Sequence, residues 1–273
     1  MIRQSGLAFV ATLALIASSL TSAQAETVRA RYAVSLIGLH IGEVAAVSSF
    51  DSSKYRIDFN ARLTGVAAMV ADVKMALSST GSMQGGVIAP ATYVTTAANS
   101  RETRTVRMAL SGGAVKSLLI TPPWTDLEGR VPVTDANKRN ILDPTSAFIM
   151  TVPPGQPLVG PAACNRKIPV FDGYLRFDVT LFYVGSRNVD IGGYSGPVSV
   201  CAARYTPIAG HKRDSRSTRF MADNRQIEVW LAPIEHAHVV APLRVALMTL
   251  AGNAVIEAVE FSVDTSDVTA ATH

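Results

Sequence analysis

Apolar and polar residues alternate along most of the chain. In Val28, Ala30, Tyr32, Val34 and Leu36 the apolar positions are separated by Arg29, Arg31, Ala33 and Ser35. The same period of two returns in Tyr55, Ile57, Phe59, Ala61 and Leu63, set against Arg56, Asp58, Asn60 and Arg62. It recurs in Phe177, Val179, Leu181 and Tyr183, in Ile227, Val229 and Leu231, and in Val255, Val259, Phe261 and Val263. Successive side chains of a strand point to opposite faces, so this alternation predicts strands with one buried and one solvated face, the habit of antiparallel sheets. Turn signals fall between the runs: Asp51-Ser52-Ser53, Gly85-Gly86, Gly112-Gly113, Gly192-Gly193 and Gly252-Asn253. The pairs Gly112-Gly113 and Gly252-Asn253 suit tight hairpins, because both tolerate positive φ. Gly38 to Gly42 reads as a bulge or turn between the first two strands.

Two stretches break the alternation. Thr64 to Asp72 is Ala-rich and predicts a short helix running into a strand over Val73–Met83. Asp143 to Val152 places Asp143 at an N-cap and Pro144 at the first helical position, ahead of an apolar face of Phe148, Ile149 and Val152. Between them, Pro122 to Asn140 is a polar connection carrying Trp124, and Pro153 to Pro161 is a stiff, Pro-rich stretch at mid-chain. That stretch is the one candidate domain boundary. The preferred architecture is mainly β: a single antiparallel open β-barrel or spiral of roughly a dozen strands with one or two short helices, spanning residues 26–264, with residues 265–273 as a frayed tail.

Composition narrows the class. Of 273 residues, 48% are hydrophobic and 17% charged, too apolar and too sparsely charged for a disordered chain. The formal net charge of +4 lacks the density of a nucleic-acid footprint, so no nucleic-acid partner is expected. Residues 1–25 have the form of a cleaved signal peptide: Arg3, an apolar run from Gly6 to Ala17, and Ala23-Gln24-Ala25 as a small-x-small cleavage site. That run is too short to span a bilayer, and no transmembrane segment is expected elsewhere. The expectation is a periplasmic protein beginning at Glu26. In an oxidising compartment, Cys164 and Cys201, the two cysteines of the chain, are expected to form a disulfide.

The chain is poor in catalytic signatures. Gly193-Tyr194-Ser195-Gly196 is one residue short of a nucleophile elbow, and no His-Glu-x-x-His, phosphate-loop or dinucleotide fingerprint occurs. His236-x-His238 offers two ligands and would need a third, such as Glu235 or Glu260, to hold a metal; two solvated histidines at a strand end are the expected reading, with no metal and no cofactor. His211 to Arg219 carries Lys212, Arg213, Arg216 and Arg219 against Asp214. It reads either as a solvated loop or as a contact for an anionic headgroup or an acidic partner.

The runs CNRKIPVFDGYLRFDVTLFY, VSVCAARYTPIAGHKRDSR and IEVWLAPIE, with the opening RYAVSLIGLHIGEV, resemble the bacterial family called domain of unknown function 3108 over most of Val28–Val263. The resemblance implies an exported protein and pairs Cys164 with Cys201; it implies no reaction. At fold level the chain also resembles the envelope integrity protein B family and the LolA/LolB lipoprotein carriers, which implies an open antiparallel barrel or spiral over a short helix, with an apolar interior. Two functions follow as expectations: a non-enzymatic periplasmic carrier of a lipid or other hydrophobic ligand, lined by Met69, Trp124, Phe148 and Ile149, or an envelope-integrity module that binds a periplasmic protein or the cell wall.

Overall fold

In a computed structural model the described residues are 24–51 and 53–267. Seven strands precede the mid-chain connection: β1 (Gln24–Leu36), β2 (Leu39–Asp51), β3 (Lys54–Leu63), β4 (Lys74–Gln84), β5 (Val87–Ala98), β6 (Thr103–Ser111) and β7 (Ala114–Thr121). Seven follow or end it: β8 (Met150–Thr151), β9 (Arg166–Phe171), β10 (Arg176–Ile191), β11 (Tyr194–Ala209), β12 (Ile227–Ile234), β13 (Val239–Thr249) and β14 (Gly252–Asp267). Helices are short: α1 (Gly65–Val70), α2 (Pro161–Cys164) and α3 (Arg216–Asp223).

All strands share one antiparallel sheet in the order β7-β6-β5-β4-β3-β2-β1-β14-β13-β12-β11-β10-β9, with β8 added beside β13. Two meanders, β1–β7 and β9–β14, are thus joined where β1 pairs with β14. The sheet does not close on itself. Its edges β7 and β9 are linked by the crossing chain: Ile141 N–H donates to Gly113 O beside β7, Leu142 N–H donates to Pro169 O of β9, and Phe171 N–H donates to Leu142 O. The chain then runs inside the curved sheet as a strap, residues 139–152, ending in β8.

The alternation read from the sequence sets the faces. Val28, Ala30 and Tyr32 of β1, Ala46 and Phe50 of β2, and Tyr55, Ile57 and Phe59 of β3 are buried. Their neighbours point outward and pair across strands, as in Arg62–Glu43 at 3.1 Å and Arg31–Glu260 at 3.6 Å. Such exposed pairs contribute between zero and about 1 kcal/mol each, so burial of the inner face carries the fold.

Several expectations shift. The first turn is Ile37-Gly38, both at positive φ, so the Gly38–Gly42 stretch holds the second residue of this turn and a register shift in β2 opposite Val34/Ser35. The last hairpin turns at Leu250-Ala251; Gly252 already pairs with Thr249. Gly252 has φ +115, and a Cβ there would collide with Ile37 Cγ2, so the glycine serves close packing between two turns. The helix expected over Asp143–Val152 is one 3-10 turn, Ser146–Phe148, followed by β8. A β-branched and aromatic run (Thr145, Phe148, Ile149, Thr151, Val152) favours extended backbone, and strand β13 offers hydrogen bonds that a longer helix would forgo. The tail expected from residue 265 begins inside β14, because Thr265 to Asp267 pair with Glu26 to Gln24. The first 23 residues, which hold most of the signal-peptide reading, lie outside the described residues, as do residues 268–273.

Candidate functional site: an apolar cavity under the strap

The strap is anchored by a buried polar cluster. Asp143, fully buried, accepts from the backbone N–H of Thr145 (3.0 Å) and Ser146 (2.9 Å) through Oδ1. Its Oδ2 lies 2.6 Å from Ser146 Oγ and 2.9 Å from Ser79 Oγ of β4. With the Ser146 proton on the carboxylate, Tyr55 of β3 donates to Ser146 Oγ at 2.7 Å. The N-cap role expected of Asp143 is therefore real, and the same carboxylate also ties the strap to the sheet wall. Among the described residues no cation pairs with Asp143. Burial raises its carboxyl above the ordinary 3.8, against the pull of the Ser146, Ser79 and Thr145 hydrogen bonds.

Beside this anchor lies a cavity of about 180 Å³. Inward positions of β1 to β4 form one wall, among them Tyr32, Phe59, Ala61 and Leu77. Pro242, Val245 and Ile256 of β13 and β14 form the other, and Pro144, Thr145 and Phe148 of the strap close it. Phe148 meets Phe59 edge-on, with ring centroids 4.8 Å apart. The polar atoms of the wall are mostly satisfied. Tyr32 Oη donates to Pro242 O at 2.8 Å, and burial pushes its phenol up, out of the titrating range. Arg244, the one charged lining residue, is held by Glu228 at 3.0 Å and Glu257 at 3.5 Å and lies over the Trp230 ring. A smaller void of about 20 Å³ continues beneath Phe148 and Ile149.

A larger concavity, about 970 Å³, lies on the outer face of β1 to β5. It is broad, lined by alanines and by charges already paired, including Arg62–Glu43, Arg31–Glu260 and Lys74–Asp72. A small hydrophobic ligand needs an apolar lining, so the inner cavity is the better candidate.

Of the four residues expected to line a ligand site, the structure brings two together. Phe148 lines the cavity, and Ile149 is buried in the adjacent core. Met69 does not join them: it is 86% exposed on α1. Trp124 is elsewhere too, stacked on Tyr174 at 4.4 Å with Arg104 over its other face at 3.7 Å, where it seals the crossing chain onto the β9–β10 turn. The strands' contribution from β13 and β14 was not legible, since nothing local to Pro242 or Ile256 marks them as neighbours of Phe148.

The basic segment is not one loop. Its second half is α3, capped by Ser215, whose Oγ accepts from Thr218 N–H at 3.1 Å. Lys212 is paired with Asp126 at 3.1 Å. Arg213, Arg216 and Arg219 are exposed and form no ion pair among the described residues. Cys164 at the end of α2 and Cys201 in β11 form the disulfide, with Cα atoms 5.6 Å apart. No group of three His, Cys, Asp or Glu among the described residues is placed to hold a metal; His236 and His238 sit in the β12–β13 turn. No helix among the described residues is long and apolar enough to cross a membrane, which leaves strands aside.

The family model for DUF3108, a protein of unknown function, matches residues 31–259. The chain belongs to the DUF3108 family. Among solved structures, this DUF3108 chain is similar to the beta-barrel-like protein of domain of unknown function DUF1849 from Brucella abortus. The TM-score is 0.50 at 11% identity, over 90% of this chain and 99% of that one, a likeness of fold alone. No curated protein matches the sequence. The open antiparallel barrel expected from the alternation is the fold of this DUF3108 member, with fourteen strands where about a dozen were expected.

Proposed function

We propose that this protein is a non-enzymatic, periplasmic binding protein that holds an apolar group of a lipid or other hydrophobic ligand between the strap and the sheet. The carrying observation is the cavity of about 180 Å³, walled mainly by aromatic and aliphatic side chains. An engineered apolar cavity of about 150 Å³ binds a benzene-sized ring. The occupant is therefore a ring or a short chain end; a whole acyl chain would require the strap to move. Export is supported by the signal-peptide form of residues 1–25 and by the disulfide, which suits an oxidising compartment. The test is ligand-observed NMR with toluene. Saturable binding is expected for the native protein, and Ala61→Leu, which extends a side chain into the cavity, should abolish it while leaving the protein folded. Absence of binding to the native protein sinks the reading.

A second reading rests on Arg213, Arg216 and Arg219, three exposed guanidiniums on or beside α3 that form no ion pair among the described residues. They suit an interaction module that meets an anionic partner or cell-wall polymer by charge. Reversing the three to Glu should remove any such partner from affinity recovery and leave toluene binding and thermal stability unchanged. Undiminished recovery would count against this surface.

A further inference from the structure

One end of the sheet carries large apolar side chains that the core does not use. β1 turns into β2 through Ile37 and Gly38, at φ 47° and 81°, the positive pair of a type I′ hairpin turn. Asparagine, aspartate or glycine suits the first of these positions, and a β-branched side chain there is strained. Ile37 holds that position while 62% exposed, its covered part lying against Gly252 of the next turn. Leu39 is 60% exposed, and Leu250, at the β13–β14 turn, 58%. The two turns are neighbours: Ile37 N–H donates to Asn253 O at 2.8 Å. α1 lies against the start of β2, where Thr64 N–H donates to Ile41 O at 3.0 Å, and adds the exposed Met69 to the same end. A strained isoleucine facing water serves folding poorly, which directs attention to what it could meet.

We propose that this end of the protein docks on an anionic lipid bilayer, with Ile37, Leu39 and Leu250 entering the acyl boundary and Arg219 and Arg225 meeting lipid phosphate. The apolar residues stand on separate turns and none lines the cavity or the outer concavity, so they offer a protein partner no groove, whereas a bilayer needs none. They are aliphatic, while the cores of protein–protein interfaces are enriched in aromatics. The Ile37 N–H is already bonded to Asn253 O, so the tip can leave water without stranding it. Charge complements the apolar tips. Asn224 Nδ2 donates to Met248 O at 2.8 Å and Met248 N–H to Gln226 O at 3.1 Å, which pins the end of α3, and Arg225 with it, close to Leu250. Arg219 and Arg225 are exposed and form no ion pair among the described residues; of the nearby carboxylates, Asp223 is exposed beside them and Asp72 is held by Lys74 at 3.2 Å. The inference does not depend on the cavity; it shares Arg219 with the charge-based reading of α3 but rests on the turn tips.

The experiment is co-sedimentation of the purified protein with vesicles of equal parts phosphatidylcholine and phosphatidylglycerol, and of phosphatidylcholine alone, with thermal melting alongside. Ile37→Asn installs the favoured Asn-Gly turn, so it should melt no lower than the native protein and bind the mixed vesicles roughly tenfold more weakly. Leu250→Ser should weaken binding by a similar factor. Arg219→Glu combined with Arg225→Glu should cost roughly tenfold on mixed vesicles and nothing on phosphatidylcholine alone. Failure of the native protein to sediment with mixed vesicles overturns the proposal, and so does undiminished binding by Ile37→Asn. A native dimer that Ile37→Asn turns into a monomer assigns the tips to a second copy of the chain and overturns it as well. Toluene binding is a separate readout: vesicle binding without it supports this proposal and sinks the cavity reading.

Discussion

The strap packs against the inside of the sheet in two different ways. Towards β8 its side chains enter a filled cluster: Met150 and Val152 lie with Leu158, Ile168, Leu181 and Leu231 around the Cys164–Cys201 bridge, and no buried residue of this cluster lines the cavity. Towards Asp143 the same strap, a few residues earlier, stands off from the wall and leaves about 180 Å³ between Phe148, Phe59 and Ile256. Both sides draw on the same kinds of residue and the same sheet. A void is therefore not forced by the width of the barrel. One side is pulled in by a covalent bridge and by backbone pairing of β8 with β13; the other is held at a set height by the hydrogen bonds of Asp143 and Ser146 to Ser79 and of Ser146 to Tyr55. The bridge acts as a clamp, the buried carboxylate as a spacer.

The largest expected effect breaks the clamp. A bridge closing a loop of this length stabilises by about 4 kcal/mol in the chain-entropy account. Cys201→Ser should lower the melting temperature by roughly 10 °C, read by calorimetry. A fall of only a degree or two would mean that the filled cluster holds itself together without the bridge.

The spacer comes next. Asp143→Ala strands two buried N–H groups and removes an acceptor from the Ser79 and Ser146 hydroxyls, which keep each other, Thr92 O and Tyr55 as partners, a loss of about 3 kcal/mol. Asp143→Asn keeps the Oδ1 acceptor and removes the charge, and should cost less. Its pH dependence is the sharper test. The folded-state carboxyl is raised above 3.8, so the unfolded chain is the stronger acid. The stabilising contribution of the protonated form is fully present below 3.8 and is lost as pH rises through the folded value. Native protein should therefore gain stability relative to Asp143→Asn as pH is lowered from neutral towards 4, and a difference that stays flat or reverses would remove the unpaired charge from the account.

Smallest is the effect of filling the void. Ala61→Leu should change stability by less than about 1 kcal/mol in either direction, because the burial it gains is offset by local crowding. A loss of several kcal/mol would show that the wall cannot yield and that the cavity is not room for a side chain.

Much of this was legible from local pattern, and the parts that were not share a cause. Tyr32, Phe59 and Ala61 point inward because alternation with Arg31, Asp58 and Arg62 says so, and Asp143 followed by Pro144 announces a capped start. The strap's later course was misread because Phe148, Ile149 and Val152 satisfy both a helical stripe and a buried extended run, and the choice was made by β13, nearly ninety positions on. Met69 and Trp124 were expected inside on apolar character, yet α1 holds Met69 outward and Arg104 and Tyr174 hold Trp124 between them.

The pairing of β1 with β14 has a kinetic meaning. Val28 lies opposite Val263, so the first described strand waits for the last before the two meanders become one sheet. Contacts between such distant positions carry a high loop-closure cost and make for slow folding. Until β14 arrives, β1 presents an unpaired edge. A chain emerging from its N-terminus would thus reach its cooperative state only once β14 is present. This arrangement concentrates the risk of edge-to-edge association in the interval before the seam shuts.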